Sequence, residues 1–231
     1  MSSSYSLYTI PTAKPEGLGD DVITYHQERL PTEAETEPPK TEFKLQRTID
    51  ALQMDVYRAV HEYVARKAGR VQELRFVEFI AIATFPAYYH RPGNLLLLRV
   101  TRDVAQSAIR HLNANLPGFR AKMRKIDLDS IKPIISDLKG AWFKVEDSAD
   151  VTSQAIFGPN IDHDERFARA ASEGPMSFAR FMIDFKGETF QIGLSSECNV
   201  VLYDDNLDEV LELELILHVK STFVDVAADK V

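Results

Sequence analysis

The chain has 231 residues, 45% hydrophobic and 27% charged, a balance that excludes a fibrous or wholly disordered protein. Its single cysteine, Cys198, excludes an intrachain disulfide and favours a reducing compartment, so a cytoplasmic location is expected. The net charge of −8 conceals three blocks, −5 over residues 1–43, +9 over 44–144 and −12 over 145–231, and this asymmetry points to an anionic partner for the middle block unless folding interleaves the blocks and cancels their fields.

Residues 1–43 hold five of the eleven prolines and little periodic hydrophobicity. The run through Glu33, Glu35, Glu37, Pro38 and Pro39 has too little apolar surface to offset its ordering entropy, so a mostly disordered acidic arm is expected. Within it, Tyr5, Leu7, Tyr8 and Ile10 form a patch able to add as a strand to this protein or to a partner. No basic start followed by an apolar core marks a targeting segment. The longest apolar-rich stretches, 79–89 and 95–98, are shorter than the roughly 20 residues of a membrane-crossing helix, and no transmembrane segment is expected.

Leu45, Ile49, Leu52, Val56, Val60 and Val64 recur at spacings of three and four, which predicts an amphipathic helix over 44–68 stopped by Gly69. Arg66, Lys67 and Arg70 then lie at its C-terminal end, where the helix dipole favours cations. Alternation at Ile80, Ile82 and Thr84 predicts a strand over 74–84 ended by Pro86, followed by a loop at 87–94 and a buried strand at 95–100. Thr101 is the expected cap of a helix reaching 115, which Leu116-Pro117-Gly118 terminates. A strand at 119–126, a helix at 128–138 and a strand at 141–146 follow, then a strand at 151–157. Asp162 and Glu165 stand at capping-box spacing for a helix over 162–172. Strands at 177–185, 188–194 and 198–203 make a meander, with Lys186-Gly187 as a two-residue hairpin turn. Residues 206–219 alternate like a strand from Leu211 to Val219, yet Asp205 or Asn206 offers a cap, and the helix is preferred. The order of elements predicts an α+β fold, a mixed or mostly antiparallel sheet with packed helices. It is read as one domain over 44–231 preceded by a disordered N-terminal arm, with a possible subdivision near 147–151 where the charge changes sign.

The most suggestive chemistry is the run Arg110, Arg120, Lys122, Arg124 and Lys125, within which there is no acid. A strand at 119–126 would project Arg120, Lys122 and Arg124 from one face, and Lys125 from the other with Phe119, Ala121 and Met123. Clustered cations attract phosphate groups, and the neighbouring Phe119, Trp142 and Phe143 suit stacking on unpaired bases. The bland alternative is a solvated strand whose charges discourage edge pairing. No RNA-recognition, KH or zinc-finger pattern is present.

His26, His61, His90, His111, His163 and His218 are scattered at no metal-ligand spacing, so neither a metal nor another cofactor is expected. His90 reads as part of a turn. Asp162-His163-Asp164-Glu165 offers oxygen ligands without EF-hand spacing, and helix capping accounts for it. Asp184-Phe185-Lys186 matches the D-x-K tail of metal-dependent nuclease cores over only three residues. Cys198, in the apolar run CNVVLY, reads as a core residue. GxSxG, Walker and GxGxxG motifs are absent. Three functional readings follow. The first is a non-enzymatic binding protein in a larger assembly, its basic section on nucleic acid or another polyanion. The second is an adaptor or regulatory subunit that holds a protein partner with the N-terminal arm. The third and least supported is a metal-dependent hydrolase. The sequence pattern sets no oligomeric state.

Overall fold

A computed structural model describes residues 2–11, 21–25, 38–71, 74–145, 152–204 and 206–228, with the backbone alone at 66–71, 74–78 and 228. In chain order its main elements are β1 (Ser3–Thr9), β2 (Asp21–Tyr25), β3 (Lys40–Ile49), β4 (Met54–Val71), β5 (Leu74–His90), β6 (Leu95–Leu98), α1 (Arg102–Asn115), β7 (Lys122–Met123), α2 (Leu128–Ile131), β8 (Ser136–Lys144), β9 (Ser153–Phe157), α3 (Glu165–Glu173), β10 (Met176–Phe185), β11 (Glu188–Ser195), β12 (Asn199–Leu202), α4 (Glu209–Val219) and α5 (Asp225–Ala228). Antiparallel sheet dominates, with helices in the minority, so the expected α+β fold is corrected towards strand. The chain forms two compact units, Tyr8–Lys122 and Met1–Leu7 with Met123–Val231. Residues 147–151, where a subdivision was expected, lie outside the described residues.

In the N-terminal unit the strands run in the order β2-β3-β4-β5-β6. The expected helix over 44–68 is instead the end of β3, a single 3-10 turn at Asp50–Leu52, and β4. Two periodicities coexist in this stretch, and the two-residue one prevails. Tyr57, Ala59 and His61 are buried on one face, opposite Phe85 and Ala87 of β5, whereas Val60, which the helical spacing placed in a core, faces outward. Val56, Tyr57, Val60, Tyr63 and Val64 are β-formers, and distant pairing partners override a local helical pattern. Gln53 adopts a left-handed conformation (φ 49°) that turns the chain between the strands. β5 also passes straight through Pro86, the expected terminator. Proline loses only its N–H donor; its carbonyl still accepts from Arg99 N–H at 3.1 Å.

Helix α1 packs against β2, β3 and β4 and buries Ala105, Ala108, Ile109, His111 and Leu112. Thr101 occupies the N-cap position, but its hydroxyl makes no capping bond; its carbonyl takes the Ala105 N–H at 3.0 Å. On the opposite face of the sheet Ile23, Tyr25 and Ile82 are exposed, and among the described residues no helix packs there. Beyond the last β3 partner, His61, the β4–β5 hairpin continues through Glu62↔Ile82 and Val64↔Ile80 to Val71↔Leu74.

The expected disordered arm is corrected at its described residues, which supply β1, β2 and the start of β3. Tyr5, Leu7, Tyr8 and Ile10 are all buried, so the apolar patch adds to this chain's own sheet. Ser3–Ser6 pair with Leu202–Asn199 of β12, and Ile10 N–H donates to Asn94 O at 2.8 Å. Glu33, Glu35 and Glu37, which motivated the arm, fall outside the described residues.

In the C-terminal unit the order is β1-β12-β11-β10-β8-β9. The predicted meander is present as β10, β11 and β12. Its first turn is Lys186-Gly187, with φ of 53° and 83°, the pair of positive values that a tight hairpin selects. Phe143 meets Phe167 of α3 at 5.2 Å and Phe181 meets Phe223 at 5.1 Å, both edge to face. The ambiguous segment 206–219 is helical: Asp208 caps α4, its Oδ1 accepting from the N–H groups of Val210 and Leu211 at 3.0 Å. Asp208→Ala is expected to lower stability by about 1 kcal/mol, read as a shifted urea midpoint with unchanged slope. Similarly Asp164, not Asp162, caps α3. The helix expected over 128–138 stops at Ile131, continues as one 3-10 turn and becomes β8.

Candidate functional site

The chain leaves α1 through a tight turn in which Phe119 N–H donates to Leu116 O at 3.2 Å. The returning segment is then fixed to the helix by one side chain. Asn113 Nδ2 donates to Ala121 O and Ala121 N–H donates to Asn113 Oδ1, both at 2.9 Å. The amide imitates the donor and acceptor of a neighbouring strand, which a short segment needs to satisfy its backbone. Phe119 and Ala121 are thereby buried, while Arg120 and Lys122 face outward, the alternation expected of a strand. Regular strand covers only Lys122–Met123, far less than the expected 119–126.

The five predicted cations divide between the two units. Arg110, Arg120 and Lys122 belong to the N-terminal unit, and Arg124 and Lys125 to the C-terminal unit. Arg110, Arg120 and Lys122 are exposed and have no ion pair among the described residues; Arg120 donates to the neighbouring Phe119 O at 2.6 Å. Arg124 differs. It is paired with Asp225 at 2.9 Å, and Lys220 bonds the other oxygen of that carboxylate at 2.7 Å. Lys125 is exposed. Sixteen basic and fourteen acidic residues fall in Tyr8–Lys122, a net of +2, against eleven and twenty-one in the other unit, a net of −10. The charge blocks of the sequence are thus partly mixed by folding, but no acid occurs anywhere in 104–126.

Sequence reasoning missed the best-organised polar cluster. Thr41 Oγ1 lies 2.8 Å from His61 Nδ1, and His61 Nε2 lies 3.0 Å from Ser107 Oγ, with the His111 ring 5.5 Å away. The order hydroxyl–imidazole–hydroxyl resembles a nucleophile with its base. However, His61 is fully buried, and a threonine stands where a carboxylate would stabilise the imidazolium. The cluster joins α1 to β3 and β4. Only the long-range pairing of 41 with 61 and the packing of α1 bring these residues together, so no local motif announced them.

The other candidates are occupied structurally. Asp164 binds Arg166 at 3.0 Å, and those hydrogen bonds draw its carboxyl down to about 2. Asp184 accepts from Thr189 Oγ1 at 2.6 Å, and Lys186, at the hairpin tip, reaches Glu214. Among the described residues no three His, Cys, Asp or Glu side chains gather to hold a metal ion. His90 is the last residue of β5, opposite Met54. On β8–β10, Trp142 meets Phe157 and Phe178 edge to face at 4.6 and 4.9 Å. A β-carbon on Gly193 would come within 2.3 Å of the Phe178 ring, so the ring rests on the glycine. This aromatic surface lies in the unit of net −10, where a polyanion is repelled.

Cys198 is buried at a positive φ of 52°, and burial pushes its thiol up to about 12, with Arg124 opposing and Asp225 adding to the shift. The fold therefore favours the neutral thiol. That contribution is complete below the unfolded-chain value of about 8.5 and is lost as pH rises from there towards about 12. Between about pH 9 and 11, wild type should lose up to about 1.4 kcal/mol per pH unit more than Cys198→Ser, as measured by urea unfolding. Parallel pH profiles would contradict this assignment.

Among the described residues no helix is long and apolar enough to cross a membrane. No protein-family model matches the chain, and no curated protein matches it.

Proposed function

We propose that this chain is a non-enzymatic binding protein that acts in a larger assembly, and that its N-terminal unit holds nucleic acid or another polyanion. One observation carries the reading: the Asn113 clamp holds Arg120 and Lys122 exposed beside α1, which carries Arg110, in a stretch with no acid to neutralise them. Exposed cations without ion pairs release counterions when they meet phosphates, which drives association. Arg124 drops to a supporting role because Asp225 already neutralises it, and Lys125 stands as a further cation in the other unit. A cytoplasmic setting accords with the single buried cysteine. The test is a salt titration against single- and double-stranded DNA and RNA. Three phosphate contacts give a slope of log affinity against log salt of about −2 on single strands and about −2.7 on duplex. Absence of binding at low salt, or affinity indifferent to salt, refutes the reading.

An adaptor role has its own support, although from a different element than the expected arm. The buried Tyr5, Leu7, Tyr8 and Ile10 are committed to the fold, whereas the β4–β5 hairpin runs on past its β3 partner. In that reading the hairpin, not the first residues, meets a protein partner.

A further inference from the structure

Cross-strand register arranges the open face of β2–β5 in rows. Tyr25 stands opposite Lys40, the pairing of Thr41 with His61 sets Lys40 opposite Glu62, and Glu62 stands opposite Ile82. Lys40 N–H donates to Glu62 Oε2 at 3.1 Å, which ties the two strands at this row. The next row is Ile23, Glu42, Val60 and Thr84, and on the other side Val64 faces Ile80. Residues directly opposite one another share a face of the sheet. Exposure alternates accordingly: Ile82 is 67% exposed, Tyr25 53% and Ile23 50%, while Val22, Thr24, Phe43, Ala59 and His61 between them are buried. Ile23 and Tyr25 on β2 and Ile82 on β5 thus flank the polar pair Lys40 and Glu62 on one sheet face, an arrangement suited to an interaction surface.

The row through Tyr25 reads aromatic, cation, anion, aliphatic. A two-fold axis parallel to the strands, placed between two copies facing each other, reverses that order. Tyr25 then meets the second copy's Ile82, and Lys40 meets the second copy's Glu62. One row therefore complements itself, which is the requirement of an isologous contact. We propose that this face is the interface of a homodimer, with β2–β5 of two copies packed face to face, sheets about 10 Å apart and crossing at roughly 30°. The same operation sets Lys44 opposite the second copy's Arg58 on the row beyond Glu42, so the crossing point lies on the side of the Tyr25 row away from them and leaves these two exposed cations at the solvated rim. Glu42 and Glu62 within the same rows disfavour an anionic lipid surface as the occupant. The proposal is independent of the polyanion reading, since it uses neither Arg110, Arg120 nor Lys122.

Sedimentation or light scattering of the full chain at roughly 100 μM, far above the dissociation constant of a stable dimer, tests it. The wild type is expected as a dimer. Lys40→Glu alone and Glu62→Lys alone should each weaken association by about tenfold or more, because each opposes like charges across the axis. Mixing these two variants in equal amounts should restore a mixed dimer, since both opposed pairs then join unlike charges. A defect in the fold of either variant, or in its own Lys40–Glu62 pair, would not be cured by mixing. Ile82→Asp, at a position exposed in the monomer, should leave the circular dichroism unchanged and also weaken association about tenfold or more. A monomeric wild type at that concentration overturns the proposal. A mixture no more associated than its components, or an unweakened Ile82→Asp dimer, overturns it equally.

Discussion

Replacing Arg110, Arg120 and Lys122 together with glutamate is expected to lower affinity for single-stranded nucleic acid by about 100-fold or more at low salt. The same change should flatten the salt dependence by about two logarithmic units per tenfold salt. The magnitude follows from their state in the free protein. None of the three is held by an acidic side chain among the described residues, so each meets a phosphate without first breaking an ion pair. Arg124→Gln with Asp225→Asn is the control. The two side chains form an ion pair at 2.9 Å, so removing both charges leaves the net field available to a ligand unchanged. Filter binding or fluorescence anisotropy over a range of salt reads both effects. If that charge-neutral double change costs as much as the triple change, the site has been assigned to the wrong unit.

Gly174→Ala is expected to destabilise the C-terminal unit by about 3 kcal/mol or more, among the larger effects of a single methyl group. Gly174 has an extended backbone, φ 174°, so alanine meets no conformational objection there. The cost is steric. A β-carbon at this position would lie 1.8 Å from the carbonyl oxygen of Lys144 and 2.9 Å from its carbon. Both obstacles are backbone, and no rotamer change relieves them. The neighbouring bond from Lys144 N–H to Pro175 O, 3.0 Å, holds the two segments together. Gly187→Ala separates the two kinds of cost: Gly187 has open space around it but a φ of 83°, which charges roughly 1–2 kcal/mol for the left-handed conformation alone. Urea unfolding of the three proteins checks the order. A Gly174→Ala protein within about 1 kcal/mol of wild type would show that the two segments separate easily.

What could be read from the sequence was local. α1, each strand of the β10–β12 meander with its Lys186-Gly187 turn, and α4 have a start, a period and a stop within about fifteen residues, and each lies close to where it was expected. The stretch 44–68 misled because its three-and-four spacing was carried partly by residues that face outward on β4, such as Val60 and Val64. What decided its conformation was pairing with β3 and β5, whose Thr84 stands 24 residues from its partner Val60, and partners at such distances leave no local trace. Caps were displaced by two or three residues, to Asp164 and Asp208, because several acids competed for each helix start. For the candidate site, alternation correctly placed Arg120 and Lys122 outward and Phe119 and Ala121 inward. The Asn113 clamp, the Arg124–Asp225 pair and the Thr41–His61–Ser107 chain were illegible, since each joins residues that only tertiary structure brings together.

The pairing of β1 with β12 imposes an order on synthesis. Ser3 and its partner Leu202 stand 199 residues apart, so the partner is made long after Ser3. Until then Ser3–Ser6 lack their β12 ladder, and closing so long a loop is slow. This ladder therefore forms late, and a strand awaiting its partner is the kind of stretch that chaperones shield.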